Sequence, residues 1–263
     1  MAVFIAGPVA GFDDQTRRAE LTDLAENALR RVARDVRRAL PNSVRVTSSG
    51  ALVAVEMLNT VDGVRYREQP PPAGADKQLD FSTADGAFNS VGPFTQIQKP
   101  FSSTGHYLSI YNVGVPGANA YELANVITPP GTRIDIDSDA APGEDNVRLT
   151  PAFRSCLRLA GAARVPGATG PGQLLPVRRV AAGTLRRYDG YAITTSHADR
   201  DSHAELLAAG AGATLITNRV ESCSASYASG TAQRAGLVTL AMAVAETGER
   251  VSLLHQVHVS NVP

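Results

Sequence analysis

The chain has 263 residues, a formal net charge of zero, 43% hydrophobic residues and 19% charged residues. That is enough chain to bury a real core, as one large domain or as two subdomains, 1–150 and 151–263. A neutral chain has no global field to draw it to nucleic acid or to an anionic membrane, so any polyanion contact has to come from a local patch.

The N-terminus, MAVFIAGPVAGF, is apolar but lacks a basic leader and is too short to span a bilayer. No later apolar run reaches membrane length, so a soluble protein without an export signal is expected. From Asp13 or Asp14, either of which is a good cap, a helix is predicted to about Leu40, where Pro41 ends it. Leu21, Leu24, Ala28, Leu29, Val32, Val36 and Leu40 recur at three- and four-residue steps and make one apolar face. Arg17, Arg18, Arg30, Arg31, Arg34, Arg37 and Arg38 decorate it, interleaved with Glu20, Asp23, Glu26 and Asp35. The acids dilute the field, which favours a solvated or subunit-facing surface over a nucleic-acid helix.

SVRVTS (43–48) and ALVAVEML (51–58) flank Ser49-Gly50 as a β-hairpin, and Asp62-Gly63 marks a turn into VRYRE. From Gln69 to Pro100 the chain carries proline and glycine without periodicity, a long loop of the kind that reaches a neighbour. HYLSIYNV (106–113) and TRIDID (132–137) read as strands, the latter with outward acids, and NAYELANVI (119–127) as a short helix or turn. Thr150-Pro151 is a favoured helix opening. After the soft stretch VPGATGPGQ (165–173) comes the most regular third. It holds a strand, a polar turn, a helix and a second strand between Tyr188 and Asn218, then a small-residue helix from about Thr231 to Glu246, then the strand RVSLLHQVHV. The expected class is α+β: a long N-terminal helix, antiparallel hairpins, a C-terminal α/β unit and long Gly/Pro-rich loops.

Chemistry-bearing residues crowd into the polar turn at every second position: His197, Asp199, Asp201 and His203. Imidazole and carboxylate suit zinc or iron, and ITTSHADRDSHAELLAAGAGATLI resembles the ligand turn of the metallo-β-lactamase fold, HxHxDH between a strand and a helix. His197 and Asp201 fall on the first His and the Asp of that motif; Asp199 replaces its middle His and Ser202 its last. The resemblance implies a metal-dependent hydrolase using this turn. The competing reading takes Asp201 and Ser202 as the N-cap of the following helix, with Asp201 capping, Asp199 a partner of the helix dipole, and both His at the surface or an interface. His255 and His258, late in the chain, are read as sharing a strand face.

Other motifs are incomplete. DIDSDAAPGEDN (135–146) starts like a calcium loop but has Ala140 in place of the turning Gly and Asn146 in place of the closing Glu, so it reads as an acidic turn. GATGPG (167–172) lacks the Lys-Ser/Thr of a phosphate loop, and Ser222-Cys223-Ser224 lacks a nucleophile elbow. Cys156 and Cys223 form no CxxC pair and read as two reduced core thiols.

LRRYDGYAITTSHADRDSHAELLAAGA (185–211) and the Ala/Gly-rich segment after it resemble the capsid proteins of double-stranded RNA fungal viruses of the totivirus and victorivirus type. Those capsid chains are much longer than this one. The resemblance implies a non-enzymatic, self-assembling shell subunit without a cofactor. Its partners would be copies of itself or a related coat subunit, and RNA enclosed without sequence-specific contacts; no membrane is involved. Loops 69–100 and 163–173 are then expected at subunit contacts.

Overall fold

A computed structural model describes residues 3–49, 52–67, 78–153, 162–166, 173–178, 183–231 and 234–259, the side chains of 3–10, 162–166 and 173–178 excepted. Helix α1 (Val3–Arg37) has 35 residues and is about 50 Å long at 1.5 Å per residue. It begins upstream of the expected cap. Asp14 lies inside it, where it pairs with Arg17 one turn on at 3.2 Å. At its other end the helix tightens, with Arg38 and Ala39 amides bonding three residues back to Asp35 and Val36, and Arg34 and Arg37 complement the carbonyl end of the dipole.

The strands are β1 (Arg45–Ser49), β2 (Leu52–Met57), β3 (Thr60–Tyr66), β4 (Asp85–Val91), β5 (Phe101–Ser103), β6 (Ser109–Ile110), β7 (Arg133–Ser138), β8 (Asp145–Phe153), β9 (Ala162–Pro166), β10 (Gln173–Arg178), β11 (Gly183–Asp189), β12 (Gly212–Ala228), β13 (Gly236–Glu246) and β14 (Glu249–Val259). The second helix, α2, spans His203–Ala208. Among the described residues these make two seven-stranded sheets, one in the order β1-β2-β10-β11-β12-β13-β14 and the other β5-β7-β8-β4-β3-β9-β6. Every strand pair is antiparallel. The chain is therefore α+β with one long helix and a predominance of strand. Neither sheet is confined to one half of the sequence, because β1 and β2 pair into the first and β9 into the second.

The apolar face of α1 lies on the first sheet. Leu21, Ala25, Ala28, Leu29, Val32 and Val36 pack against Val55, Met57, Val238, Leu240, Met242, Val244 and Val257 in one buried cluster. A second cluster, including Phe88, Leu108, Ile134, Ile136 and Val147, fills the other sheet. Leu40, Leu58, Tyr121, Ile127 and Ile193 close the space between them. Where β11 meets the bulge in β12 the backbones come so close that a Cβ on Gly183 would lie 1.8 Å from the Val220 carbonyl oxygen; only glycine fits there.

Several sequence expectations are corrected. The segment expected as a small-residue helix is strand β13: Val238, Leu240, Met242 and Val244 alternate onto α1, and tertiary pairing on both edges overrides the helix preference of its alanines. The C-terminal α/β unit is an antiparallel sheet, since β11 and β12, on either side of α2, pair with Tyr188 opposite Ala213. Thr150-Pro151 opens no helix within the described residues; both lie in β8, which continues to Phe153. Asp62-Gly63 is not a turn but part of β3, and one Asp62 carboxylate oxygen accepts the Gly63 amide at 2.8 Å. The expected loop of 69–100 contains β4, its residues 69–77 lying outside the described set. Only Ser109 and Ile110 of HYLSIYNV form a strand. Asp135 and Asp137 of β7 lie, as expected, on the face opposite the core residues Ile134 and Ile136, and Asp135 is covered there by Arg133 at 2.9 Å.

Candidate functional site

The polar turn does fold over a cluster of buried charge, although three of its key members come from elsewhere. Glu56 is the one acid in the apolar run of β2, and its carboxylate is fully buried. Arg45 on neighbouring β1 is aligned with it by strand register, and its Nε donates to Glu56 Oε2 at 2.8 Å. The same guanidinium donates to the carbonyls of Thr195 at 2.7 Å and Thr194 at 3.0 Å, and sits 3.4 Å above the Tyr121 ring. The Tyr191 hydroxyl donates to Glu56 Oε1 at 3.1 Å, and Tyr121 donates to the Ser43 carbonyl at 2.9 Å. Burial raises the Glu56 pKa even against the lowering effect of Arg45. Burial first, and Glu56 second, also push the Tyr121 and Tyr191 hydroxyls up, so both remain donors.

His197 completes this cluster. Its Nδ1 shares a hydrogen bond with the Thr47 hydroxyl at 2.5 Å, and its buried Nε2 has no hydrogen-bond partner. Desolvation, then the nearby Arg45 cation, lower its pKa to about 4. His203 goes elsewhere: its Nδ1 is 2.5 Å from the Tyr188 hydroxyl. Ser202, not Asp201, caps α2, accepting the Glu205 amide while the Glu205 carboxylate accepts the Ser202 amide. Asp201 lies just outside that box, its pKa raised by desolvation and by Glu205. Asp199 occupies a separate 3-10 turn, Ala198–Arg200.

The four candidate ligands thus face different partners, and among the described residues no group of three or more His, Cys, Asp or Glu is arranged to hold a metal ion. His255 and His258, three positions apart on a strand, point to opposite faces: His255 is half-buried on the α1 side and His258 exposed on the other. Cys223 packs at the edge of the α1 cluster, where burial pushes its thiol up to about 11; Cys156 and the Gly-rich segment 167–172 lie outside the described residues. The acidic turn is a β7–β8 hairpin, and Asn89 donates to both Asp139 and Glu144. Chemically, the Glu56 cluster is saturated with protein donors. It fastens the 190–201 segment onto the β1–β2 hairpin.

The surfaces left without a partner lie elsewhere. Residues 11–20 of α1 are exposed apart from half-buried Arg17, Arg18 still reaching Glu249 of β14 at 3.7 Å, and toward its start the sequence of the helix becomes apolar, VFIAGPVAGF. Strand β14 pairs with β13 along all eleven residues and is the end strand of its sheet. On the face away from α1, four successive rungs carry no charge, from Ser222–Ala243–Ser252 through Ser224–Ala241–Leu254 and Ser226–Thr239–Gln256 to Ala228–Leu237–His258. No helix of the described residues is long and apolar enough to cross a membrane. No family model, curated protein or solved structure matches the chain.

Proposed function

We propose that the chain is a structural subunit that assembles with copies of itself, and that the assembly is a shell around a genome with this chain as its coat subunit. The observation that carries the reading is the outer half of α1. A helix segment whose side chains stand in water is marginal, and among the described side chains residues 11–16 are all exposed, Phe12 at 69%. A neighbouring subunit that covers this stretch supplies packing for it. The β14 edge agrees with that role. Eleven extended residues without proline or lysine lack the usual devices that block strand addition, and the uncharged rungs beside it offer a flat surface with Leu254 67% exposed. The saturated state of the Glu56 cluster fits a role in holding shape. Native mass tests the proposal. Light scattering after size exclusion, with electron microscopy, is expected to find large closed particles, and a clean monomer at high concentration ends the reading.

A further inference from the structure

We propose that the groove between α1 and β12 binds the sugar–phosphate backbone of a single-stranded nucleic acid. The groove encloses about 1000 Å³ and is lined by Arg30, Arg31, Arg34 and Arg37 of α1, by Thr217 and Asn218 of β12, and by His255. No carboxylate lines it, although the chain as a whole has as many acids as bases. Of the acids interleaved along the helix, Glu26 pairs with Arg30 at 2.5 Å and offsets the charge of that groove arginine, while Asp35 is half-buried and pairs with Arg187 at 3.4 Å. Arg31 and Arg37 are exposed and make no ion pair or hydrogen bond within the described residues. The result is a concave, one-signed patch in a neutral protein.

The shape selects among anions. From Leu24 to Arg37 the groove follows about 20 Å of helix, too long for one small dianion. Arg31, Arg34 and Arg37 succeed one another at three-residue steps, which puts their Cβ atoms about 5–6 Å apart, a spacing that serves a chain of phosphates. Arginine forks match phosphate oxygens in pairs. Apart from the His255 imidazole no aromatic side chain lines the groove, so successive bases have no Phe, Tyr or Trp platform, and recognition is of the backbone and independent of sequence. RNA and DNA share this chemistry. The site lies within one chain, so it stands whether or not the protein assembles.

The test is fluorescence anisotropy with labelled oligo(U) and oligo(dT), run on the intact protein and on Arg31→Ala/Arg34→Ala/Arg37→Ala. Wild type is expected to bind one or both at low salt, with log affinity falling against log salt with a slope of about −2 for three phosphates on a single strand. The triple variant is expected to lose about tenfold or more in affinity while remaining folded, its melting lowered only slightly, because all three positions are exposed and alanine's helix preference offsets the lost dipole contacts of Arg34 and Arg37. Arg31→Lys/Arg34→Lys/Arg37→Lys, which keeps the charge, is expected to retain binding and covers the case in which the alanine variant does not fold. Absence of wild-type binding, equal binding by the alanine variant, or equally effective competition by poly-glutamate would each overturn the proposal, the last in favour of an acidic peptide.

Discussion

Nε2 of His197 lies 3.9 Å from Oε2 of Glu56, and the two do not form an ion pair in the folded protein. Glu56 already accepts from Arg45 and Tyr191, and a proton on His197 would place a second cation beside the guanidinium in a site with little water. The relationship is a neutral imidazole capping a closed charge cluster.

His197 is therefore expected to stay neutral in the folded protein down to about pH 4, against 6.5 for an unperturbed histidine. Between those values the unfolded chain binds a proton here that the folded chain does not. Its contribution to stability is whole above 6.5 and falls as the pH drops toward 4. Glu56 acts in the opposite sense, because its raised pKa lets the folded state take up a proton first. The direct readout is the His197 ring resonance during an NMR titration; a midpoint near 6.5 would contradict the burial of the ring.

Removing one partner of the cluster is expected to cost more than removing the pair. Arg45→Ala leaves the buried Glu56 carboxylate uncompensated and is expected to lose about 3–5 kcal/mol. Arg45→Met together with Glu56→Leu, similar in volume and apolar, is expected to lose much less. Urea denaturation of these proteins together with the single variants Arg45→Met and Glu56→Leu measures this, and a double variant whose loss is the sum of the two singles would mean that the residues act independently.

At the start of α2, Ser202→Ala is expected to lose about 1 kcal/mol, since it empties the capping box. Asp201→Ala is expected to be near neutral: Asp201 makes no cap and sits beside the like-charged Glu205. Thermal melts that rank the two variants the other way would restore Asp201 as the cap.

Phe12→Asp and Leu254→Arg address the assembly surfaces. Both positions are exposed in the single chain, so each substitution is expected to leave monomer stability within about 0.5 kcal/mol while shifting native mass toward smaller species. Particles of unchanged size in both variants would remove these surfaces from the interface.

What was legible in the sequence was legible through periodicity. The stripe from Leu21 to Leu40 repeats at the helical step, and its buried members as far as Val36 are those that meet the sheet, Leu40 joining the cluster around Tyr121. The β1–β2 hairpin announced itself by two β-branched runs around Ser-Gly, although the register pairs Ser49 with Leu52, one position later than a turn on Ser49-Gly50 would give. In β13 the period-two signal at Val238, Leu240, Met242 and Val244 was present but masked by alanines between them, residues whose local preference is helical. The Glu56 cluster had one faint signal, a lone acid in an apolar run. Its partners Tyr121, Tyr191 and His197 are separated by up to 141 positions from it, and no local pattern links them.

By itself, then, the sequence determined which face of α1 is apolar, where the first hairpin forms, and that the turn after Tyr188 leads into a capped helix. Each follows from interactions within a few residues of chain. Tertiary structure decided what the charged residues do. Whether Arg31 and Arg37 face acids or a carboxylate-free groove, and whether His197 meets a metal ligand or a buried ion pair, depends on which distant strand lies alongside. Strand pairing of that kind is fixed by the packing of the whole core, not by the neighbours in sequence.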